Sequence, residues 1–221
     1  MQELTRRAAP AIAAAYDFAG ARSVVDVGGG HGALVCGILQ KNPALRGVIF
    51  DQPHCAPGAA AVAKNAGVAD RCEFAAGSFF ERVPADADVY LLKSVIHDWN
   101  DERSIAILGT CRAALRGGAR VVLVEVVVPA RPGTSPLDQM IAGTDLNMLV
   151  MTGGRERTEA QYKSICEAAG LRISRIIPTA DGFQPDRSGG MKMFTAEARR
   201  RGGVRMMKTG NSCLRASASL R

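Results

Sequence analysis

The run RVVLVEVVVP, Arg120 to Pro129, constrains the fold of this 221-residue chain more than any other stretch. A strand with one face in water alternates apolar and polar residues, whereas a nearly unbroken apolar run needs cover on both faces. Such a strand belongs inside a parallel sheet that carries helices on either side. The rest of the chain keeps this rhythm, with short apolar runs alternating with longer helical patterns. Strands are expected near Ser23–Val27, Gly47–Asp51, Cys72–Ala76, Asp88–Ser94, Ala119–Val128 and Leu171–Pro178. Helices are expected near Ala33–Lys41, Gly58–Ala66, Asp101–Leu115, Pro136–Val150 and Thr158–Ala169, and the first residues read as a further helix. The breaks carry turn residues: Asn42-Pro43, the glycines at 117 and 118, and Ala169-Gly170. The fold class is therefore α/β, a doubly wound and mostly parallel sheet.

One residue interrupts the run. A carboxylate at position 125 costs several kcal/mol if it is buried without partners. Glu125 must therefore reach the strand's end, pair with something, or lie beside a histidine.

Composition narrows the function classes. An apolar share of 47% supports the packed core of one good-sized domain. Residues 185–221 hold nine Lys/Arg and two Asp/Glu, which accounts for the whole net charge of +7. Residues 1–184 are balanced, with 19 of each sign, and carry no nucleic-acid signal. The tail is rich in Gly, Ser and Arg, and is expected to be a disordered, solvated extension with at most weak affinity for polyanions. No apolar run reaches the roughly 18 residues of a membrane span, and no signal-peptide cleavage pattern follows the first helix. The six cysteines are widely spaced, as expected of reduced thiols in a cytoplasmic protein.

The stretch VVDVGGGHGALV, Val24 to Val35, is the first candidate site. Glycine is costly to order, so four of them at one turn mean that the backbone passes close to something. A nucleotide cofactor, a phosphate and a plain tight turn all fit. A strand, a glycine turn and a helix set backbone N–H groups at the helix N-terminus, at the sheet edge where ligands bind. The spacing Gly28-x-Gly30-x-x-Ala33 also fits the dinucleotide fingerprint. Asp51 ends the next strand, 23 residues after Gly28, where a carboxylate can accept both ribose hydroxyls or serve as a turn residue before Pro53. Together they indicate adenosine, not which adenosine.

Downstream motifs separate the possibilities. VVDVGGGHG, FDQP, GSFF, LLKSVIHDWNDE, VLVEVVVP and GGRERT, in this order, resemble the caffeic acid O-methyltransferase type and its bacterial natural-product relatives. The resemblance runs from about Leu4 to Phe183. It implies the Rossmann-like class I methyltransferase fold, S-adenosyl-L-methionine as cofactor, and methyl transfer to a hydroxyl of a small aromatic metabolite. Gly28 and Gly30 would pass under the methionine part of the cofactor, and Asp51 would hold the ribose. Ser78 and Phe79 match positions that flank adenine; the family often has Asp at Ser78, which shortens or weakens one contact here. Lys93 matches a lysine that contacts the cofactor.

The same likeness assigns the chemistry. His97 matches the family's general base. Methyl transfer needs in-line placement of an oxygen and removal of its proton, which a neutral imidazole can accept. Glu125 and Glu156 match two acidic residues that flank the base, and Met148 matches a methionine that clamps the acceptor. On the residues alone, His97 also reads as a capping histidine before a helix that Asp98 or Asn100 begins, Glu156 as a charge at a helix N-terminus, and Met148 as core. No metal is implied.

The chain departs from the family at both ends. Family members homodimerise through an N-terminal helical domain, so residues 1–22 read as a lead-in from that domain and 23–184 as the cofactor-binding catalytic domain. Residues 185–221 are the basic tail, and the family's final antiparallel strand has a single, poorly spaced candidate there, MKMFTA at 191–196. Two alternatives stand beside the methyltransferase. An NAD-dependent oxidoreductase explains the glycines and Asp51 but gives no role to HDW together with Glu125. A truncated cofactor-binding module without turnover is the other.

Overall fold

The apolar run forms the strand Arg120–Val127, and both of its faces are covered. Val121 and Leu123 join one buried cluster, Val122 and Val124 the other, and all four are fully buried. The computed structural model describes residues 2–131, 133–179 and 190–199. In chain order the elements are α1 (Gln2–Ala15), β1 (Ser23–Val27), α2 (Ala33–Lys41), β2 (Arg46–Asp51), α3 (Ala56–Asn65), β3 (Cys72–Ala76) and β4 (Val89–Lys93). They continue with α4 (Asp101–Ala114), β5 (Arg120–Val127), α5 (Pro136–Met151), α6 (Glu159–Ala168), β6 (Leu171–Pro178) and β7 (Gly190–Ala198). The expected strands and helices all form, with ends within two residues of the sequence pattern.

The seven strands lie in the order β3-β2-β1-β4-β5-β7-β6. All neighbours are parallel except β7, which runs antiparallel to both β5 and β6. Helices α1, α2 and α3 cover one face through Ile12, Ile38, Leu39 and Ala63. On the other face α4 and α6 pack Ile107, Leu108, Tyr162 and Ile165 against the same strands. The doubly wound α/β sheet expected from the sequence is what forms.

β7 corrects the reading of the tail. Residues 185–221 were expected to be a disordered extension with MKMFTA at 191–196 as a poorly spaced candidate for the final antiparallel strand, and residues 190–198 do form that strand, between β5 and β6. The physical reason is alternation: Met193 packs into one core cluster, and Phe194 and Ala196 into the other. The remaining tail residues, 185–189 and 200–221, lie outside the described residues, apart from Arg199, whose N–H bonds the Gly170 carbonyl at 3.0 Å.

Helix starts are set by side-chain caps. Asn100 Oδ1 accepts the Arg103 N–H at 3.0 Å and begins α4, so the cap is Asn100, not Asp98 or His97. Reciprocal capping boxes, Ser135 with Asp138 and Thr158 with Gln161, begin α5 and α6.

Candidate active site

The order of strands reverses between β1 and β4, which opens a crevice at their carboxyl ends, the usual ligand site of such sheets. The glycine turn forms one wall. Its donors are used within the turn. The Gly28 N–H bonds the Phe50 carbonyl at 2.8 Å, Gly30 donates to Asp51 Oδ2 at 2.7 Å, and Gly32 donates to Gly29 at 2.8 Å. The turn also leaves room for a ligand: a Cβ on Gly30 would meet nothing within 4 Å. Gly28 is different. At φ 72° it lies so close to the next loop that a Cβ would stand 2.8 Å from Val95 Cγ2 and 3.6 Å from Phe79.

Asp26 lies beneath this turn, buried in the middle of β1. Its carboxyl accepts the Val35 N–H near the start of α2, and its Oδ2 has no hydrogen-bond partner among the described residues. Burial, assisted by the charge of Asp51, pushes the group up to about 7 against the pull of the Val35 N–H and of Lys93.

Beyond β3 the loop turns on Ser78, whose Oγ accepts the Phe80 N–H at 3.3 Å. Phe79, Phe80 and Trp99 pack edge to face, with Phe80 and Trp99 centroids 4.8 Å apart. The Arg103 guanidinium lies over Phe80 and Trp99, at 5.0 and 4.8 Å. Lys93, at the end of β4, donates to Ser94 Oγ at 3.1 Å.

The opposite wall is the short 3-10 turn Ile96–Asp98 that follows β4. His97 is buried there, with Nδ1 3.0 Å from Glu156 Oε1. Its Nε2 has no hydrogen-bond partner among the described residues; the nearest carboxylate oxygen, on Asp98, is 3.7 Å away. Burial pulls the imidazole down, but the Glu156 hydrogen bond and the charges of Glu125, Glu156 and Asp98 outweigh it and raise His97 to about 9. Glu125 meets its burial differently from the sequence expectation. Its Oε1 accepts the Val95 and Ile96 N–H groups at 3.1 and 2.8 Å, so it holds the backbone of the turn rather than the imidazole ring. Burial raises Glu125 to about 7, tempered by His97 and those two N–H groups. Glu156 is held by α5, where Asp145 Oδ1 accepts its N–H at 2.8 Å, and Met148 is buried on that helix.

The model of the O-methyltransferase domain matches residues 1–172 of the sequence. The chain belongs to that family. This O-methyltransferase domain is 43% identical over 179 residues to phenazine O-methyltransferase PhzM of Lysobacter antibioticus, which covers 81% of this chain and 51% of the relative. It is 40% identical over 171 residues to a mitomycin biosynthesis 6-O-methyltransferase of Streptomyces lavendulae, covering 77% of this chain and 48% of the relative. Among solved structures, LaPhzM superposes with a TM-score of 0.80 at 40% identity, over 89% of this chain and 56% of that one. NcsB1, from neocarzinostatin biosynthesis, was solved with S-adenosyl-L-homocysteine and 1,4-dihydroxy-2-naphthoic acid. It gives a TM-score of 0.72 at 33% identity, over 85% of this chain and 52% of that one. The chain spans about half the length of the curated relatives it matches.

Within this O-methyltransferase domain the structure brings His97, Glu125 and Glu156 together from β4, β5 and the loop before α6. Gly28, Gly30 and Asp51 form the facing wall, with Ser78, Phe79 and Lys93 beside it. Four residues escaped the sequence reading: Asp26, Asp145, Gly154 and Arg157. Asp26 carried a usable signal, because a charge inside VVDV poses the same question as Glu125 inside its own strand. Gly154 and Arg157 sat in the quoted GGRERT without a role, and nothing local marks a surface-like Arg as fully buried.

Proposed function

We propose that this chain is the cofactor-binding and catalytic part of an S-adenosyl-L-methionine-dependent O-methyltransferase acting on a hydroxyl of a small aromatic metabolite. The observation that carries the reading is His97: a buried imidazole with one nitrogen fixed on a carboxylate and the other buried without a hydrogen-bond partner among the described residues. When bound, the cofactor supplies a methyl group on a sulfonium. Asp51 holds the ribose, Ser78 and Phe79 flank the adenine, Gly28 and Gly30 leave room for the methionine part, and Lys93 closes that side.

The protein's own part in the chemistry is proton transfer. Glu156 accepts the Nδ1–H of His97, which leaves the Nε2 lone pair of the neutral ring to take the acceptor's proton. A base near 9 and a phenol near 10 are closely matched, so the proton moves with little driving force against it. Met148 presents an adaptable thioether to a flat acceptor. Homodimerisation through an N-terminal helical domain, implied by the family resemblance, belongs to the proposal as well, and α5 separately exposes Leu146, Leu149, Val150 and Met151, an apolar face suited to cover. So does a cytoplasmic setting, for the five described cysteines are free thiols.

Calorimetry with S-adenosyl-L-methionine, S-adenosyl-L-homocysteine and NAD, followed by methylation assays on a panel of phenols, tests the reading. The expected result is binding of the two adenosyl ligands, negligible binding of NAD, and methyl transfer that depends on His97. Tighter binding of NAD would return the chain to the oxidoreductase reading.

A further inference from the structure

His97 works only if its ring stays on Glu156, and that depends on how the 3-10 turn is held. Glu125 holds the amide side of the turn. The carbonyl side is held by one short segment. The Arg155 N–H donates to the His97 carbonyl at 2.9 Å. Arg157 Nη1 donates to the Ile96 carbonyl at 3.0 Å, and Nη2 to the Trp99 carbonyl at 2.7 Å. The same guanidinium reaches Asp101 Oδ1 through Nε and Nη2, at 3.0 and 2.9 Å, and Ser104 Oγ at 3.2 Å. Gly154 completes the fit, because a Cβ there would collide with the His97 carbonyl.

Arg157 is fully buried, and a cation in that position is costly unless every donor is engaged. Its planar fork spans the carbonyls on either side of His97, which the three-donor point charge of a lysine does not reproduce. Between Arg155 and Arg157 lies Glu156, the carboxylate that receives Nδ1. The segment thus grips the backbone of the histidine and its ring together. A second anchor, the bridge between Val127 and Arg157, ties the segment to the end of β5.

We propose that Arg157 is a positioning residue for methyl transfer, setting the hydrogen bond between His97 and Glu156 by clamping the carbonyls of Ile96 and Trp99. The proposal rests on His97 being the base, but it makes a structural claim that is read separately. Arg157 touches neither cofactor nor acceptor; it acts through His97.

The test compares the 221-residue chain with Arg157→Lys and Asp101→Asn, the second removing a half-exposed partner of the guanidinium. Carbon-13 and nitrogen-15 NMR of the three histidines, with His97→Gln to assign the signals, follows the His97 titration directly. In Arg157→Lys the His97 midpoint is expected to fall by about one pH unit as its bond to Glu156 loosens. The maximal rate with a phenol is expected to drop about 10–100-fold near pH 9, where the wild-type ring is neutral, to drop by less at pH 7, where the lowered midpoint leaves more of the variant's ring neutral, and to recover above the phenol's own ionisation. Cofactor affinity is expected to stay within about twofold, since that wall is built from other strands. Asp101→Asn moves the same signals in the same direction by less, and decides the matter if Arg157→Lys does not fold. Folded variants with an unchanged His97 titration, or a rate loss equal at all pH values, would overturn the proposal. Unchanged transfer by His97→Gln would instead overturn the base assignment, with the NMR result still deciding the clamp.

Discussion

The two walls of the crevice are built by opposite means. The glycine wall is made of backbone: its hydrogen bonds join residues of the turn itself or reach just across to Phe50 and Asp51. The histidine wall is made of side chains that arrive from 29 to 61 residues away, Glu125 from β5 and Glu156 and Arg157 from the loop before α6. A backbone wall keeps its shape when single side chains change. A side-chain clamp is precise but loses that precision with each group removed.

The contrast is sharpest at His97. Its replacement by Ala is expected to lower methyl transfer about 10²–10⁴-fold while leaving cofactor affinity nearly intact, in paired turnover and calorimetry measurements. The sign of the pH effect follows from the raised imidazole: the ring must be neutral to accept a proton, so the wild-type rate rises with pH and levels off near 9. The deficit of the variant shrinks above about pH 10, where a phenol ionises unaided. A deficit that persists there would mean that His97 positions the acceptor instead of deprotonating it.

On the glycine wall the largest single side-chain effect is expected at Asp51. Asp51→Ala should weaken S-adenosyl-L-methionine binding by about 1.5–3 kcal/mol, the scale of hydrogen bonds to a charged group. The turn should survive, since the bonds from Gly28 and Gly32 remain. Circular dichroism beside calorimetry separates the two. Loss of folding together with binding would break the comparison, by showing that this wall too hangs on one side chain.

The smallest effect concerns Asp26. Its folded value near 7 exceeds the unfolded 3.8, so the folded state holds a proton that the unfolded chain releases. This penalty is absent below pH 3.8, grows as pH rises toward 7 and stays constant above it. Asp26→Asn removes the penalty and keeps an acceptor for the Val35 N–H, at the expense of a buried amide donor. A net gain of about 1 kcal/mol is expected in denaturant melts at pH 8, with none at pH 4. A variant that is less stable at pH 8 would show that the carboxyl is ionised and paired in the folded protein.

The same division explains what could be read from the residues alone. The strand–turn–helix around Gly28 is local in sequence, so spacing and residue type announce it. Asp51 was legible because it too ends an adjacent strand. Glu125 announced only that it needed partners; its choice of the Val95 and Ile96 N–H groups depends on the pairing of β4 with β5, which no local pattern encodes. Arg157 was invisible for the same reason, its acceptors lying on a loop some sixty residues earlier. β7 was legible only as MKMFTA, a poorly spaced candidate, because its partners β5 and β6 lie far away in sequence and the tail around it is basic and polar.

The antiparallel insertion of β7 sets a timetable for synthesis. β5 and β6 are never neighbours in the finished sheet, although they leave the ribosome one after the other with the slot between them still unfilled. Until residues 190–198 emerge, the strand that carries Glu125 has an open edge of unpaired backbone groups, ready to accept a wrong partner. Non-local pairing of this kind is slow, because chain closure precedes the contacts that reward it. The wall that performs the chemistry is therefore the last to become rigid, while the strands and turn that receive the cofactor are complete almost a hundred residues earlier.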